Sequence, residues 1–151
     1  MLRVTKLADY GIVMLTFVAT HPDSTYTARD IASNVKLPMP VASKVLKLLS
    51  KAGLLTSQRG TKGGYALARP PQDITVASII RAFEGPIAVT ACSDIKSFCG
   101  LEAGCPVRTN WHLINQAIHS ALEKITLAHM TQPLHQPLIT LNMPGRPFSV
   151  Q

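Results

Sequence analysis

Acidic, aromatic and cysteine residues are all scarce in this sequence. Only 8 Asp and Glu stand against 15 Lys and Arg, aromatic residues make up 5% of the chain, and there are 3 cysteines. An odd number of cysteines fits poorly with the paired disulfides of a small secreted domain. No stretch approaches the roughly 18 uncharged apolar residues that a membrane span needs. We therefore expect a soluble cytoplasmic protein with no membrane partner.

The signatures of common enzymes are also missing. The sequence contains no C-x-x-C pair, no glycine-rich phosphate loop between a strand and a helix, and no convincing pair of catalytic carboxylates. The run Gly60-Thr61-Lys62-Gly63-Gly64 lacks the spacing of a phosphate-binding loop. With 151 residues, the chain has room for one domain, or for a small domain with a dimerising appendage. These observations predict a protein that is not an enzyme.

The positive charge is concentrated in the first half of the chain. Residues 1–69 carry ten Lys and Arg against three Asp, whereas residues 70–151 carry five basic and five acidic residues. The whole net charge of +7 therefore lies in the N-terminal half. Such a block on a folded domain indicates a polyanionic partner. A solvated basic face that only maintains solubility is the alternative.

Hydrophobic spacing and capping residues predict three helices before Gly53. The first extends from Thr5 to Thr20, and Thr27, with Asp30 reaching back to it, caps a second over about 28–34. Pro40 suits the first turn of the third, which runs to Ala52. Its buried stripe is predicted to be Val41, Val45, Leu48, Leu49 and Ala52. Its exposed face is predicted to be Ser43, Lys44, Lys47, Ser50 and Lys51.

Two short strands are predicted after the third helix, over 54–57 and 65–68. The residues between them, 58–64, include three glycines that permit a tight hairpin with positive φ angles. Two helices, a turn and a basic hairpin predict a winged helix-turn-helix, in a mainly α fold, over residues 1–85. In this architecture the second helix of the motif lies in the major groove of duplex DNA. The hairpin can reach the DNA backbone or the minor groove.

The second half of the chain is predicted to contain two further helices and a tail. Thr75 caps a helix over 76–84, and a long helix follows over 106–130. A three- and four-residue spacing in the long helix is typical of a seam that faces a partner helix. The seam residues are Trp111, Ile114, Ile118, Ala121 and Ile125. We favour a homodimerisation helix over one that covers only its own domain, and we expect a flexible, proline-rich tail over 131–151.

The three cysteines, Cys92, Cys99 and Cys105, fall within fourteen residues of each other in a loop over 86–105. Structural zinc sites usually have four ligands, with at least one pair two to four residues apart, and this loop has no such pair. Three thiolates at wider spacing suit an iron–sulfur cluster better, with another group in the fourth position. Unligated thiols, or one disulfide with a spare thiol, are the alternatives.

Four segments together resemble a known family. They are the opening K-L-A-D-Y-G, the wing A-G-L-L-T-S-Q-R-G-T-K-G-G-Y-A-L, the helix I-T-V-A-S-I-I-R-A-F-E-G, and the cysteine loop. They resemble the winged-helix iron–sulfur transcription regulators IscR, NsrR and RirA, and most of all the branch that regulates the SUF cluster-assembly genes. The resemblance covers residues 1 to about 130. It implies a homodimeric repressor that binds double-stranded operator DNA.

The resemblance also implies a set of cluster ligands. Cys92, Cys99 and Cys105 would hold the cluster, with 2Fe-2S favoured over 4Fe-4S. Members similar to IscR use a histidine three residues after the last cysteine, but this chain has Arg108 there, which cannot bind iron. Members similar to NsrR use an aspartate from the first helix of the partner subunit, and Asp9 occupies that position. The alternative is that Asp9 only neutralises Lys6.

For DNA, the resemblance implies that the third helix enters the major groove and that Arg59, at the wing tip, enters the minor groove. Ser43 stands where IscR has a base-reading glutamate, so the operator preference should differ. We predict that Ser43 and Lys44 contact base edges and that Lys47, Lys51 and Lys62 contact phosphates. A metal-free thiol sensor and an architectural nucleic-acid protein are rival readings. The second of these leaves the cysteine loop without a purpose.

Overall fold

The chain is mainly helical, with a single small hairpin among the described residues. A computed structural model describes residues 4–60, 63–90, 100 and 104–132. The helices within these ranges are α1 (Lys6–Ala19), α2 (Ala28–Asn34), α3 (Met39–Lys51), α4 (Val76–Glu84), α5 (Arg108–Lys124) and α6 (Leu127–Met130). The antiparallel strands are β1 (Leu55–Gln58) and β2 (Gly64–Leu67), and a 3-10 turn covers Pro71–Asp73. The predicted fold class is confirmed. None of the described helices has the length and apolar character to cross a bilayer.

Local capping sets the boundaries of the first helices, and the predicted cap of α2 at Thr27 is confirmed. The Thr5 hydroxyl accepts a hydrogen bond from the backbone N–H of Ala8 and starts α1. At α2 the capping box is complete, because the Thr27 hydroxyl accepts from the N–H of Asp30 and the Asp30 carboxylate accepts from the N–H of Thr27. Gly53, with φ of +69°, follows the end of α3. These caps fix where each helix points.

The capping box makes a pH-dependent contribution to stability. Hydrogen bonds from the hydroxyl and then from the backbone N–H of Thr27 lower the pKa of the Asp30 carboxyl, and Arg29 adds to the effect. Because the folded-state pKa lies below the unfolded one, this stabilisation is present above the unfolded pKa of about 4 and is lost as the pH falls below it. We expect Asp30→Asn to lower the free energy of unfolding. The decrease should be larger at pH 6 than at pH 3. Urea denaturation at several pH values measures this difference.

Asp23→Asn is the matched control, because Asp23 is exposed and forms no ion pair among the described residues. The difference in free energy of unfolding between Asp23→Asn and the native protein should vary less with pH than the difference for Asp30→Asn. A stability difference for Asp30→Asn that stays constant between pH 3 and pH 6 would contradict the role of the capping box.

The core forms around α1, which packs against α2, α3, α4 and α6. Met14, Leu15 and Val18 of α1 are buried and meet apolar side chains from every one of the neighbouring helices. From α3 the buried residues are Ala42, Val45, Leu46 and Leu49. This burial anchors the back of α3, so that its opposite face is presented as a fixed surface.

The predicted stripe of α3 was partly wrong. Leu46, absent from that stripe, is fully buried, whereas Ala52, which was included, is exposed. Ser50, predicted to lie on the exposed face, is half-buried, and its hydroxyl is buried with no hydrogen-bond partner among the described residues. The buried side of α3 therefore includes Ala42 and Leu46 in place of Ala52.

The predicted continuous helix over 106–130 was wrong near its end. The chain becomes extended at Ile125, whose carbonyl accepts a hydrogen bond from the N–H of Val76 at 2.8 Å. The N–H of Leu127 donates to the carbonyl of Ile74 at 2.7 Å, and the Leu127 side chain is fully buried. Thr126 then caps the short helix α6. These two backbone bonds tie the end of α5 to the segment that precedes α4.

Candidate nucleic-acid interface and cysteine segment

The exposed face of α3 carries the basic side chains expected of a DNA-reading helix. Ser43, Lys44, Lys47 and Lys51 are all exposed, and their spacing places them on neighbouring turns of one side. Among the described residues no carboxylate forms an ion pair with any of these lysines. The face therefore presents three uncompensated ammonium groups beside a short hydroxyl. Such a surface can neutralise phosphates while the small Ser43 leaves room near base edges.

The hairpin is joined to the helices by a third piece of extended chain. The β1–β2 register pairs Leu55 with Leu67 and Gln58 with Gly64. Tyr26, just before α2, donates from its N–H to the carbonyl of Tyr65 at 2.9 Å and accepts from the N–H of Tyr65 at 2.7 Å. These two bonds fix the position of the wing relative to the helix-turn-helix. Arg59 follows β1 and is exposed, whereas Lys62 lies outside the described residues.

The glycines of the wing serve two different purposes. Gly60 has φ of +112°, as predicted, and its carbonyl accepts from the N–H of Gly63 at 2.9 Å. Gly63 and Gly64 do not have positive φ angles, so that part of the prediction was wrong. A Cβ on Gly64 would stand 2.5 Å from the carbonyl oxygen of Tyr26. Gly64 is therefore needed for close backbone approach.

Gly64→Ala should loosen the wing. The added methyl meets backbone rather than a movable side chain, so we expect the free energy of unfolding to fall by about 1–3 kcal/mol. DNA affinity should fall with it, because the wing shifts relative to α3. Urea denaturation and a duplex titration measure the two effects. Ser57→Ala, on the exposed side of β1, is the control, and equal behaviour of the two variants would refute the close-approach argument.

Cys105 is the one predicted cluster ligand among the cysteines that lies within the described residues. It is half-buried three residues before the start of α5, and its carbonyl accepts a hydrogen bond from the N–H of Arg108 at 3.4 Å. Cys92 and Cys99 lie outside the described residues. Within the described ranges, which contain only Cys105 of the three thiols, no three His, Cys, Asp or Glu side chains gather as a metal site. The ligand set remains a prediction.

Asp9 and Arg108 occupy the two positions considered for a fourth ligand. Asp9 is exposed on α1, and in the described part of the chain it forms no ion pair with Lys6 or any other residue. This gives no support to the reading in which Asp9 only neutralises Lys6. Arg108 is the first residue of α5, and its guanidinium cannot serve as an iron ligand. Of the two, Asp9 is the one with a suitable donor.

A polar row on α5, which the sequence reasoning missed, holds the helix against its own domain. Asn115, His119 and Glu123 are four residues apart and share one side of α5. Arg81 of α4 contacts His119 at 3.0 Å and Glu123 at 3.2 Å, and Asn115 bonds to the chain that follows α4. The signal was visible as polar residues at i, i+4 and i+8 beside an apolar stripe.

The predicted dimerisation seam is divided between two environments. Ile118, Ala121 and Ile125 are half-buried against their own domain, whereas Trp111 and Ile114 are 36% and 44% exposed. Leu113, outside the predicted seam, is 61% exposed, and no residue of α5 is fully buried. Leu113, Ile114 and the exposed Ala117 form an apolar outer face on α5. We refer to these three residues as the outer face of α5.

Comparison with known proteins relates the whole arrangement to transcription regulators. The family model of Rrf2, described as an iron-dependent transcriptional regulator, matches residues 4–133. Protein rrf2 of Nitratidesulfovibrio vulgaris is 32% identical over 130 residues, which cover 85% of this chain and 87% of that protein. The structure of IscR from T. potens is 33% identical, with a TM-score of 0.64 and 85% of each chain covered. The structure of CymR, the global cysteine regulator of B. subtilis, is 28% identical with a TM-score of 0.66, covering 87% of this chain and 97% of that one.

Proposed function

This chain belongs to the Rrf2 family of transcription regulators, and we propose that it is a cytoplasmic, homodimeric repressor that binds operator DNA and senses through an iron–sulfur cluster. Regulators of this family bind DNA and are not enzymes. The observation that carries the DNA-binding part of the proposal is the uncompensated basic face of α3. The bridge between Tyr26 and Tyr65 fixes the wing relative to the helix-turn-helix that contains this face.

We assign the DNA contacts by position on that surface. Ser43 and Lys44 lie nearest the start of α3 and would meet base edges, because a recognition helix enters the groove with its N-terminal residues. Lys47 and Lys51 continue along the same face and would meet phosphates, together with Lys62. Arg59 would enter the minor groove from the wing. These side chains supply the positional and the sequence-reading contacts of one half-site.

The homodimer is proposed on the outer face of α5. A monomer would leave Leu113 61% and Ile114 44% exposed to water, whereas a second copy of the helix would bury both. Trp111, at the N-terminal end of the same helix, would flank that contact. Two winged helices related by a two-fold axis read half-sites about one helical turn apart, so a small rotation of one against the other changes the affinity.

The donor set suits an iron–sulfur cluster. Three closely spaced cysteines supply thiolates, Cys105 stands where α5 begins, and the exposed Asp9 carboxylate is available to a neighbouring subunit. When bound, a cluster would supply a redox- and iron-sensitive link across the segment between the winged helix and α5. The likeness to IscR and the family description support this choice, with cluster-assembly genes of the SUF type as the proposed targets.

A metal-free thiol sensor is the second candidate. It is favoured by the likeness to CymR, whose described role concerns cysteine. In this case Cys92, Cys99 and Cys105 would respond to oxidant by forming disulfides. The same winged helix and the same dimer would serve both candidates, so the difference lies in the chemistry of the cysteines alone.

Purification without oxygen, followed by iron and sulfide assays and a visible spectrum, tests the proposal. We expect charge-transfer absorption, one cluster per protomer, and loss of both in Cys92→Ala. Ser97→Ala, in the same segment, is the matched control and should keep the cluster. A colourless, iron-free protein that cannot be reconstituted would refute the cluster and favour the thiol sensor. Asp9→Ala, with unchanged absorption and cluster lifetime, would refute Asp9 as a ligand.

A further inference from the structure

The turn between α2 and α3 contains a lysine in a backbone conformation that L-amino acids rarely adopt. Lys36 has φ of +55°, and no other non-glycine residue in the described ranges has a positive φ. In this left-handed region the Cβ atom of an L-residue lies too close to the following carbonyl oxygen. Asn and Asp can offset the strain with a short local hydrogen bond, but lysine has no such group. The backbone is therefore strained at Lys36 in a way that glycine would relieve.

The same turn occurs at the end of α3, where the chain has Gly53 with φ of +69°. The N–H groups of Lys36 and Gly53 each donate to the carbonyl three residues earlier, at 3.3 and 3.1 Å. In both turns the next N–H donates to the carbonyl five residues earlier, at 2.9 and 3.0 Å. This pair of bonds is the Schellman motif, in which glycine is the usual residue. The geometry of the turn after α2 therefore does not require lysine.

The side chain of Lys36 has no partner within the described part of the protein. It is exposed, whereas the next residue, Leu37, is half-buried and packs against the core, so the turn is held in place with the lysine outward. No described carboxylate forms an ion pair with Lys36. A lysine at the C-terminal end of a helix can also donate to the last carbonyl groups, but among the described residues the Lys36 ammonium makes no such bond. Its charge is therefore available to another molecule.

Lys36 lies just before the end of α3 that a recognition helix places deepest in the groove. α3 begins at Met39, so the Cα atoms of Lys36 and Met39 are at most about 11 Å apart. Met39 is exposed and begins the row Met39, Ser43 and Lys47 along one side of α3. A recognition helix meets base edges with its N-terminal residues, whereas contacts to the phosphate backbone set its position. A cation just before that end is therefore suited to a phosphate at the edge of the groove.

We propose that Lys36 is a further DNA-contact residue, whose ammonium group binds a backbone phosphate of the operator beside the N-terminal end of α3. This contact accounts for a lysine in a turn that would be more stable with glycine. The inference rests on the DNA-binding part of the proposed function and is independent of the chemistry of the cysteines. Lys36 and the proposed phosphate contacts of Lys47 and Lys51 would then hold α3 at both of its ends.

Lys36→Gly is expected to change stability and DNA binding in opposite directions. Relief of the strain should raise the folded-to-unfolded equilibrium constant, measured by urea denaturation, about threefold. Loss of the charge should lower the affinity for a duplex selected by the native protein about threefold to tenfold. The slope of log affinity against log salt should fall by about 0.9. Lys36→Arg keeps the charge and should bind as the native protein does, and Lys124→Gln, which removes one charge from the exposed end of α5, should keep the native slope.

Lys36→Gln separates the charge from the strain, because it keeps a side chain on the strained backbone but loses the positive charge. It should lose affinity and slope as Lys36→Gly does, without the gain in stability. A native salt slope in both variants, while the native protein binds the duplex, would overturn the inference. If Lys36→Gln were less stable and still kept the native slope, the charge would instead act on the C-terminal end of α2. Failure of the proposed function differs from both results, because the native protein itself would then show no salt-dependent binding to any duplex.

Discussion

Leu113→Glu is expected to convert the protein to a monomer and to lower its operator affinity by about a hundredfold or more. Leu113 is 61% exposed at the centre of the outer face of α5, where a second copy would bury it. A carboxylate in that contact would be desolvated without a partner. Once the dimer separates, the second half-site no longer binds at a high effective concentration, and that advantage is typically about 10²- to 10⁴-fold.

Sedimentation equilibrium measures the oligomeric state, and titration of a duplex selected by the native protein from a random pool measures affinity. His112→Glu adds a carboxylate to an exposed position of the same helix that lies about 100° or more around the axis from Leu113, Ile114 and Ala117, and it should remain a dimer. If Leu113→Glu remained dimeric with native affinity, the dimer would use another surface. Helical content measured by far-ultraviolet circular dichroism separates this result from unfolding.

The second large effect is expected from Lys47→Ala combined with Lys51→Ala. Both side chains are exposed on α3 without a carboxylate partner among the described residues, so each is available to neutralise one phosphate. Each lost phosphate contact should reduce the slope of log affinity against log salt by about 0.9, so the double variant should lose about 1.8. The affinity at low salt should fall about tenfold to a hundredfold, and by a similar factor on every duplex.

Titrations at four salt concentrations, on the selected duplex and on an unrelated one, provide this slope. Lys124→Glu lowers the net charge by the same two units at the exposed end of α5 and should leave the slope unchanged, which controls for net charge. If the double variant keeps the native slope of log affinity against log salt, residues other than Lys47 and Lys51 contact the phosphates. A loss confined to the selected duplex would instead indicate that these lysines read bases.

Local chemistry explains the parts of the fold that the sequence could predict. The capping box of Thr27 and Asp30 and the end of α3 just before Gly53 involve residues within three or four positions of each other, so their spacing alone indicates them. The wing was predicted with its strands displaced by one residue, because glycine-rich turns leave the exact register open. The basic face of α3 was identified from charge and period together.

Contacts between distant segments explain what the sequence could not predict. The extended conformation at Ile125 depends on backbone bonds to the segment before α4, about fifty residues away, and the apolar period continues through it without interruption. The burial of Leu46 depends on how α3 lies on α1. Asn115 has its partners 26 and 28 residues earlier in the chain. In each case the deciding partner is remote, and no local pattern contains it.

The break between α5 and α6 has a mechanical consequence. Because Ile125 and Leu127 bond to both sides of Thr75, and Leu127 is inserted in the core, α5 is joined to the winged helix without a free hinge at its C-terminal end. Arg81 adds a second attachment along its length. These contacts oppose bending of the chain at Ile125 when the N-terminal end of α5 moves. We therefore expect α5 and the winged helix to rotate together.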